Sequence, residues 1–362
     1  MTIIILSKID DAHAVCVEAA LLQKGAKVIF WSWADFPSNL KFNVEISQFN
    51  FNITGFSENI DNTTLWVHRD LNPVVSEMVH PADRNFVLNE SLQLLNGMLF
   101  KIAENAFCVN PLPSRLYMNS KITQLSLAVK CGLSIPSTIY SNDPDEIIRF
   151  FKQHGEKIIV KYSSPMSWEA ADGSISTPYT ARISEMHLSN RSQLAACPSI
   201  FQEEIEKQYE LRIVFFGATI FAIKIPSQDD ENKVDWRMNF QNSPPCEVFT
   251  LPTTEEYRIR SFIAASGLLY GSIDMIVLKS NKYVFLEVNE TGQFLWIEDL
   301  LPQLPLLDCF TDFLIERNKE FRYEPGCGVL QCRNFDHLIT FDALEKRRSG
   351  HIGSLHQRIQ PE

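Results

Sequence analysis

With 362 residues, 45% of them hydrophobic, the chain is too long for one comfortable core and apolar enough for two or three. A net charge of −11 argues against general nucleic-acid binding, which needs a basic face to displace counterions, and suits a basic peptide partner. No apolar run is long enough to span a membrane, so no membrane partner is expected.

The opening MTIIILSKIDD has the look of a targeting segment, but Lys8, Asp10 and Asp11 break the apolar run and no small-residue cleavage site follows. Residues 3–6 read instead as a buried first strand. Helical spacing over residues 14–24 stops at Gly25, and residues 27–33 (KVIFWSW) form a second β run. This strand–helix–strand opening predicts a parallel α/β layer. No GxGxxG is present, so a dinucleotide-binding turn is unsupported. Residues 65–68 (LWVH) predict another strand, with Arg69 directly after it; 83–104 predict a long helix and 107–110 a short strand ending at Pro111.

A second block begins near Pro113. Its helix over 121–131 stops at Gly132, and residues 139–140 begin a strand. A helix over 143–154 is opened by Asp143 with Pro144 in its first turn; 157–161 (KIIVK) is a strand, and a polar segment rich in small residues covers 163–176. In the third block, 200–205, 210–216 and 219–225 are strand-like, the last two joined by Gly217 and Ala218. A helix over 253–266 precedes strands over 271–278 and 283–288, which are joined by a turn at 280–282. A closing helix is expected over 300–317, interrupted early by Pro302 and Pro305. After Phe321 the periodicity weakens, and part of the tail is expected to lack order.

Cysteines stand at 16, 108, 131, 197, 246, 309, 327 and 332 without any CxxC. Cys327 and Cys332, the nearest pair, lack a matching second pair, so buried free thiols in a reducing cytoplasm are expected rather than a zinc site. Cys16 reads as core packing, and His13 and His68 as structural or surface residues.

The informative signal is a set of residues. In YVFLEVN, Glu287 and Asn289 are two apart, so one strand presents both on the same face. Asp274, on the preceding strand, is placed beside them by antiparallel pairing. Three oxygen donors then suit Mg²⁺, which takes one or two carboxylates and completes its shell with substrate phosphates. Lys161 ends a strand and opens the loop KYSSPMSWEAADGS, fit for a lysine reaching phosphates under a flap; Lys121 opens a helix after a Pro- and Asn-rich turn. Arg212 and Arg237 lie on neighbouring β segments that could aim both at one anion. Each residue alone has an ordinary surface explanation; together they form a kit for phosphoryl transfer.

The order of these segments resembles the ATP-grasp superfamily, and more closely its RimK-like branch. The stretches that carry the likeness are NSKITQLSLAVKCGLSIPST, IIVKY, FQEEIEKQYELRIVFFG, DWRMNF, GLLYGSIDMIV and FLEVNETGQFLWIE, over about residues 1–317. Within that branch the chain looks like the ligases that mature microviridins and related side-chain-crosslinked peptides, the graspetides. The resemblance implies an α/β (α+β) ATP-grasp fold. Its expected parts are an N-terminal α/β domain over 1–112, a central subdomain over 113–198, a C-terminal subdomain with the metal site over 199–319, and a tail over 320–362 that has no counterpart.

Carried over position by position, the resemblance implies ATP and Mg²⁺ as cofactors. Lys121 and Lys161 would contact phosphates. Gln202, Glu203, Glu204 and Ile205 would receive adenine, and Glu210 the ribose. Arg212 and Arg237 would stabilise the transferred charge, and Asp274, Glu287 and Asn289 would bind the metal. The chain departs from the family pattern at Tyr162, where many relatives have proline, and at Asn289-Glu290-Thr291-Gly292, where NPNG or NPTG is frequent. The implied partner is a ribosomally made precursor peptide, with a homodimer as the assembly. Its leader would dock on the 227–233 connection, where Asp229, Asp230 and Glu231, with Asp235 beyond, could pair with leader Lys or Arg; Arg69 is the candidate for the core. The implied reaction converts an Asp or Glu carboxylate to an acyl phosphate, which a Ser or Thr hydroxyl or a Lys amine then attacks. Two other readings stay open: a ligase adding amino acids to a peptide or small acid, and a nucleotide-binding regulatory protein without turnover.

Overall fold

The computed structural model describes residues 1–46, 51–54, 63–69, 72–163, 168–169, 175–176, 180–226, 245–349 and 351. The N-terminal layer is built from β1 (Thr2–Leu6), α1 (Ala12–Gln23), β2 (Lys27–Trp31), a small hairpin of β3 (Asn43–Ile46) and β4 (Phe51–Thr54), β5 (Thr63–Val67), α2 (Arg84–Asn105) and β6 (Phe107–Val109). Its sheet has the order β2-β1-β5-β6 and is parallel throughout. Parallel strands covered on both faces read as unbroken apolar runs, and Ile3, Ile4, Ile5 and Leu6 are all buried. Asp11 caps α1 by accepting a hydrogen bond from the Ala14 amide at 2.9 Å. The second β run ends at Trp31, two residues short of the expected 27–33, because Trp33 already lies in a single 3-10 turn.

The middle of the chain contributes α3 (Leu112–Met118), α4 (Lys121–Lys130), β7 (Thr138–Ser141), α5 (Pro144–Gln153), β8 (Ile158–Lys161), the short β9 (Trp168–Glu169) and β10 (Ile175–Ser176), β11 (Ala181–Arg182), α6 (Glu185–Ser189), α7 (Arg191–Ala196) and β12 (Ser199–Glu203). Strands β11-β8-β12-β7 form one antiparallel sheet. It packs on α5 through Ile147, Phe150, Phe151, Val160 and Phe201. Asp143 caps that helix, accepting from the Asp145 amide at 2.9 Å.

The C-terminal sheet has the order β15-β14-β13-β16-β17, from β13 (Lys207–Phe216), β14 (Thr219–Ile225), β15 (Glu247–Phe249), β16 (Tyr270–Leu278) and β17 (Tyr283–Asn289), with α8 (Thr253–Ser266) between β15 and β16. All its pairings are antiparallel. Alternation along β13 divides its side chains. Leu211, Ile213 and Phe215 pack with Ala128 of α4 and with Ile259 and Phe262 of α8. Val214 and Phe216 pack on the opposite face against Tyr270, Phe294 and Phe310. The rest of that second face carries Glu210 and Arg212 and is polar.

The expected single closing helix is two: α9 (Leu295–Leu300) and α10 (Leu306–Glu316). Pro302 and Pro305 separate them rather than bend one helix. The expectation that part of the tail lacks order falls in part on residues 352–362, which lie outside the described residues. Up to residue 351 its described part is ordered, with a 3-10 helix over Cys332–Leu338 and α11 (Phe341–Arg348). Leu330, Cys332 and Phe335 are buried with Ala14, Cys16 and Val17 of α1. Cys327 and Cys197 are exposed, against the expectation of buried thiols, whereas Cys16, Cys108, Cys309 and Cys332 fulfil it. Among the described residues no helix is long and apolar enough to cross a membrane.

Glu298 of α9 fastens the tail: its carboxylate accepts from the Cys332 amide at 2.8 Å and the Leu307 amide at 3.4 Å. Burial pushes its pKa up to about 7 from 4.5, against the opposing pull of those amides. A raised folded-state pKa means that folding takes up a proton between those two values. The group's contribution to stability is then full below 4.5 and lost as pH rises through about 7. The thermal midpoint should therefore fall between acidic and mildly alkaline pH, and Glu298→Gln should flatten that slope; an unchanged slope in the variant would assign it to other groups.

Candidate active site

The polar half of the C-terminal sheet face is organised as a row. In the sheet register Arg212 lies opposite Asp274, Asp274 opposite Glu287, and Asn289 opposite Ser272. A bulge is needed to achieve this. Pairing passes from Asp274–Glu287 directly to Met275–Phe285, which leaves Leu286 as the extra residue. In an unbulged strand Phe285 and Glu287 would share a face. The bulge lets Phe285 and Val288 both enter the core while Glu287 and Asn289 face the cleft.

Two cations balance the two acids. Arg212 Nη1 donates to both carboxylate oxygens of Asp274 at 2.8 Å, and the Asn289 amide reaches Asp274 Oδ2 at 3.2 Å. The Lys121 ammonium donates to Glu287 Oε2. Lys121 arrives there because of Gln124, three residues on and on the same face of α4. The buried Gln124 amide donates to the Val288 carbonyl at 3.0 Å and accepts from the Val288 amide at 3.0 Å, so it clips the helix to the backbone of β17. The donor set fits a magnesium ion: two carboxylates and one amide, all hard oxygen ligands once the Asn289 amide is turned, with the rest of the shell left to phosphate oxygens. Among the described residues no group of three or more His, Cys, Asp or Glu is placed to hold a metal.

The remaining expected residues divide. Lys161 ends β8 opposite Ile200, half-buried at the sheet margin. Gln202 is buried on β12, its amide donating to Thr138 Oγ1 at 3.1 Å while its Oε1 has no hydrogen-bond partner among the described residues. A buried carbonyl oxygen in that state has a strong need for a donor. Glu203 and Glu204 spend their side chains on structure: Glu203 accepts from the Ser137 amide at 2.8 Å, and Glu204 forms a forked pair with Arg182 at 2.6–3.0 Å. Ile205 lies two residues beyond the end of β12. Glu210 pairs with Lys207 at 2.5 Å. Arg237, Asp229, Asp230, Glu231 and Asp235 lie outside the described residues.

Arg69 leaves the C-terminal end of β5 and meets Asp11 at 3.4 Å. Asp11 also faces His68 at 3.3 Å, and His68 stacks on His13 with ring centroids 5.0 Å apart. Burial would raise the Asp11 carboxyl, but His68 and the Ala14 amide hold it well below the usual carboxylate range. Burial, with His68 beside it, keeps His13 neutral. Burial pushes the Tyr270 phenol far up, and the nearby guanidinium groups of Arg212 and Arg69 pull against that rise.

Sequence reasoning missed the residues that hold this cleft together. Asn110 is buried and uses all four of its hydrogen-bonding positions: its amide donates to the Tyr270 carbonyl at 2.8 Å and the Glu290 carbonyl at 2.7 Å, and its oxygen accepts from the Leu269 and Tyr270 amides, both at 2.8 Å. A lone Asn closing a short strand before Pro111 was the available signal. Glu290, at the position where the NPNG and NPTG patterns carry proline, pairs with Arg115 of α3 at 3.7 Å. Gly292 is dictated by a close approach, since a Cβ there would meet Ser272 Oγ at 2.8 Å.

No family model and no curated protein matches the chain. Several solved structures do. A RiPP-associated ATP-grasp ligase from Chryseobacterium gregarium, in complex with ADP and a leader and core peptide, is 27% identical; the match covers 88% of this chain and 97% of that one, with a TM-score of 0.80. The macrocyclase MdnC from Microcystis aeruginosa MRC, bound with precursor peptide MdnA, is 26% identical over 87% and 100% of the two chains, with a TM-score of 0.75. The macrocyclase MdnB from the same organism is 25% identical over 87% and 99%, with a TM-score of 0.70. The architecture is thus that of an ATP-grasp ligase.

Proposed function

We propose that this chain, a graspetide-type ATP-grasp ligase, joins an Asp or Glu side chain of a ribosomally made precursor peptide to a Ser or Thr hydroxyl or a Lys amine of the same peptide, consuming ATP. The observation that carries the proposal is the row of Arg212, Asp274, Glu287 and Asn289 with Lys121 beside it, set in the fold of a RiPP-associated ATP-grasp ligase and two macrocyclases.

In the proposed reaction a peptide carboxylate oxygen attacks the γ-phosphorus of ATP, the β–γ bond breaks, and ADP leaves. The hydroxyl or amine then attacks the acyl carbon, loses its proton and expels phosphate, so the peptide loses one water per crosslink. Magnesium, held by Asp274, Glu287 and Asn289, would neutralise phosphate charge. Arg212 and Lys121 serve as counterions to these acids, and phosphates entering the cleft would draw both toward themselves. Positioning and charge neutralisation suffice, and no protein nucleophile is needed. Lys161 is assigned to the ATP phosphates, Arg237 to the transferred phosphoryl group, Glu210 to the ribose, and Arg69 to the core carboxylate. Asp229, Asp230, Glu231 and Asp235 are assigned to the leader.

Gln202 Oε1 is assigned to the adenine amino group, with the backbone at Glu203, Glu204 and Ile205 alongside. Gln202→Leu should then weaken ADP binding by roughly tenfold, about one hydrogen bond to a buried acceptor. Calorimetric titration measures it, and an unchanged affinity would move adenine elsewhere.

The deciding experiment is co-expression with a neighbouring short peptide rich in Ser or Thr and Asp or Glu, followed by mass spectrometry and an ADP-release assay. Loss of one water per crosslink with stoichiometric ADP supports the reading. Absence of ADP release with any carboxylate-bearing peptide overturns it.

A further inference from the structure

The reaction gives no role to the chain beyond α10, yet that segment is fastened at many points. Tyr323 donates to Asp308 Oδ2 at 2.8 Å and the Leu330 amide to Asp308 Oδ1 at 3.1 Å; the Cys332 amide then meets Glu298. From there α11 runs back to the N-terminal layer, capped by Thr340 and ending in Lys346, Arg347 and Arg348.

Its last turn is aimed at one place. Arg347 Nε donates to the Ile9 carbonyl at 2.6 Å, its guanidinium also pairs with Glu18, and its plane covers the Phe30 ring at 4.8 Å. Arg348 Nε donates to the buried Asp10 carboxylate at 2.8 Å. His351 contacts the buried Asp35 at 2.7 Å. Ile9 and Asp10 form the connection from β1 to α1, and the next residue is Asp11. Asp11 holds Arg69 at 3.4 Å, the long end of the hydrogen-bonding range, where a small displacement decides whether the contact exists. The basic turn thus grips the two residues that set the position of Arg69's only recorded carboxylate partner among the described residues.

We propose that α11 is a strap that fixes the β1–α1 connection and, through Asp11, aims Arg69 into the cleft, making Arg347 and Arg348 positioning residues for the substrate carboxylate. This rests on the assignment of Arg69 to the core carboxylate made above. Neither arginine touches substrate, so their removal should act on acceptance of the peptide, not on ATP.

The test uses the full chain with Arg347→Met and Arg348→Met combined, and with Lys at both positions as the conservative pair. Amide hydrogen exchange should accelerate by about tenfold over residues 7–11 and 68–69 in the Met variant, and by much less in the Lys variant. With a crosslinkable peptide, KM for the peptide should rise by roughly 3- to 10-fold while kcat and KM for ATP stay within about twofold, and the Lys pair should recover most of the loss. Unchanged exchange in those segments overturns the strap, and so does a loss shared equally by kcat and both KM values. A wild-type protein that releases no ADP with any peptide would overturn the proposed reaction instead, and the exchange result would still decide the strap.

Discussion

Glu287→Gln is expected to lower peptide-dependent ADP release by about 10³-fold while the fold stays intact. The substitution keeps the side chain's size and removes one of the two formal charges of the proposed metal site. Glu287 sits beyond the bulge at Leu286, with Asp274 opposite it and Lys121 above it, so its oxygens are already held in place before any ligand arrives. Its loss leaves Asp274, which is engaged by Arg212, as the sole carboxylate of the proposed metal site. The same change releases Lys121 from its partner, so ATP binding without magnesium should be retained. The paired measurements are initial rates of ADP release and the thermal midpoint. A variant with a wild-type midpoint and a rate within tenfold of wild type would remove Glu287 from the metal site. A collapsed midpoint would show that the pair with Lys121 serves the fold instead.

How much of this was legible in the sequence depended on how local the cause was. The parallel N-terminal strands, the cap at Asp143 and the turn at Gly217 follow from neighbours in the chain. Period, capping chemistry and, at Gly217, a φ of +56° explain them. The convergence of Asp274, Glu287 and Asn289 was inferred from simple alternation, and the three do converge. The reason given was incomplete. Alternation alone would have sent Phe285 into the cleft beside Glu287, and only the unpaired Leu286 reconciles the apolar and polar demands of the strand. The role of Gln124 was hidden because it acts across a sequence separation of 164 residues. The tail looked weak because its few apolar residues show no period. What docks it is Leu330, Cys332 and Phe335 slotting into a core supplied by α1, together with hydrogen bonds to Asp308 and Glu298. Short segments of this kind are ordered by the surface they land on, and no window of their own sequence records it.

The largest stability effect is expected at Asn110. Its carboxamide joins the end of β6 to the start of β16 and to the loop that follows β17, and its two donors and two acceptor positions are all matched at 2.7–2.8 Å. Alanine would leave the Leu269 and Tyr270 amides and the Tyr270 and Glu290 carbonyls facing a space closed to water. Each orphaned buried group costs on the order of 1–3 kcal/mol, so with partial relaxation the loss should be about 4 kcal/mol. Glu290 follows Asn289 directly, and its carbonyl is one of the groups set free, so the damage extends to the proposed metal ligands. Crosslinking should therefore fall by more than the loss of folded protein accounts for, even below the unfolding transition. Asn110→Asp separates the two contributions: it keeps the acceptors for Leu269 and Tyr270 but cannot donate to Glu290. It should thus share the catalytic defect while adding the cost of a buried charge. Denaturant unfolding followed by the tryptophans of the N-terminal layer, with ADP release measured well below the midpoint, checks both parts. If alanine costs less than about 1 kcal/mol, the four contacts are replaceable by water and Asn110 is no clamp. If stability falls but the rate per folded molecule does not, the loop after β17 holds its ligands without help from β6.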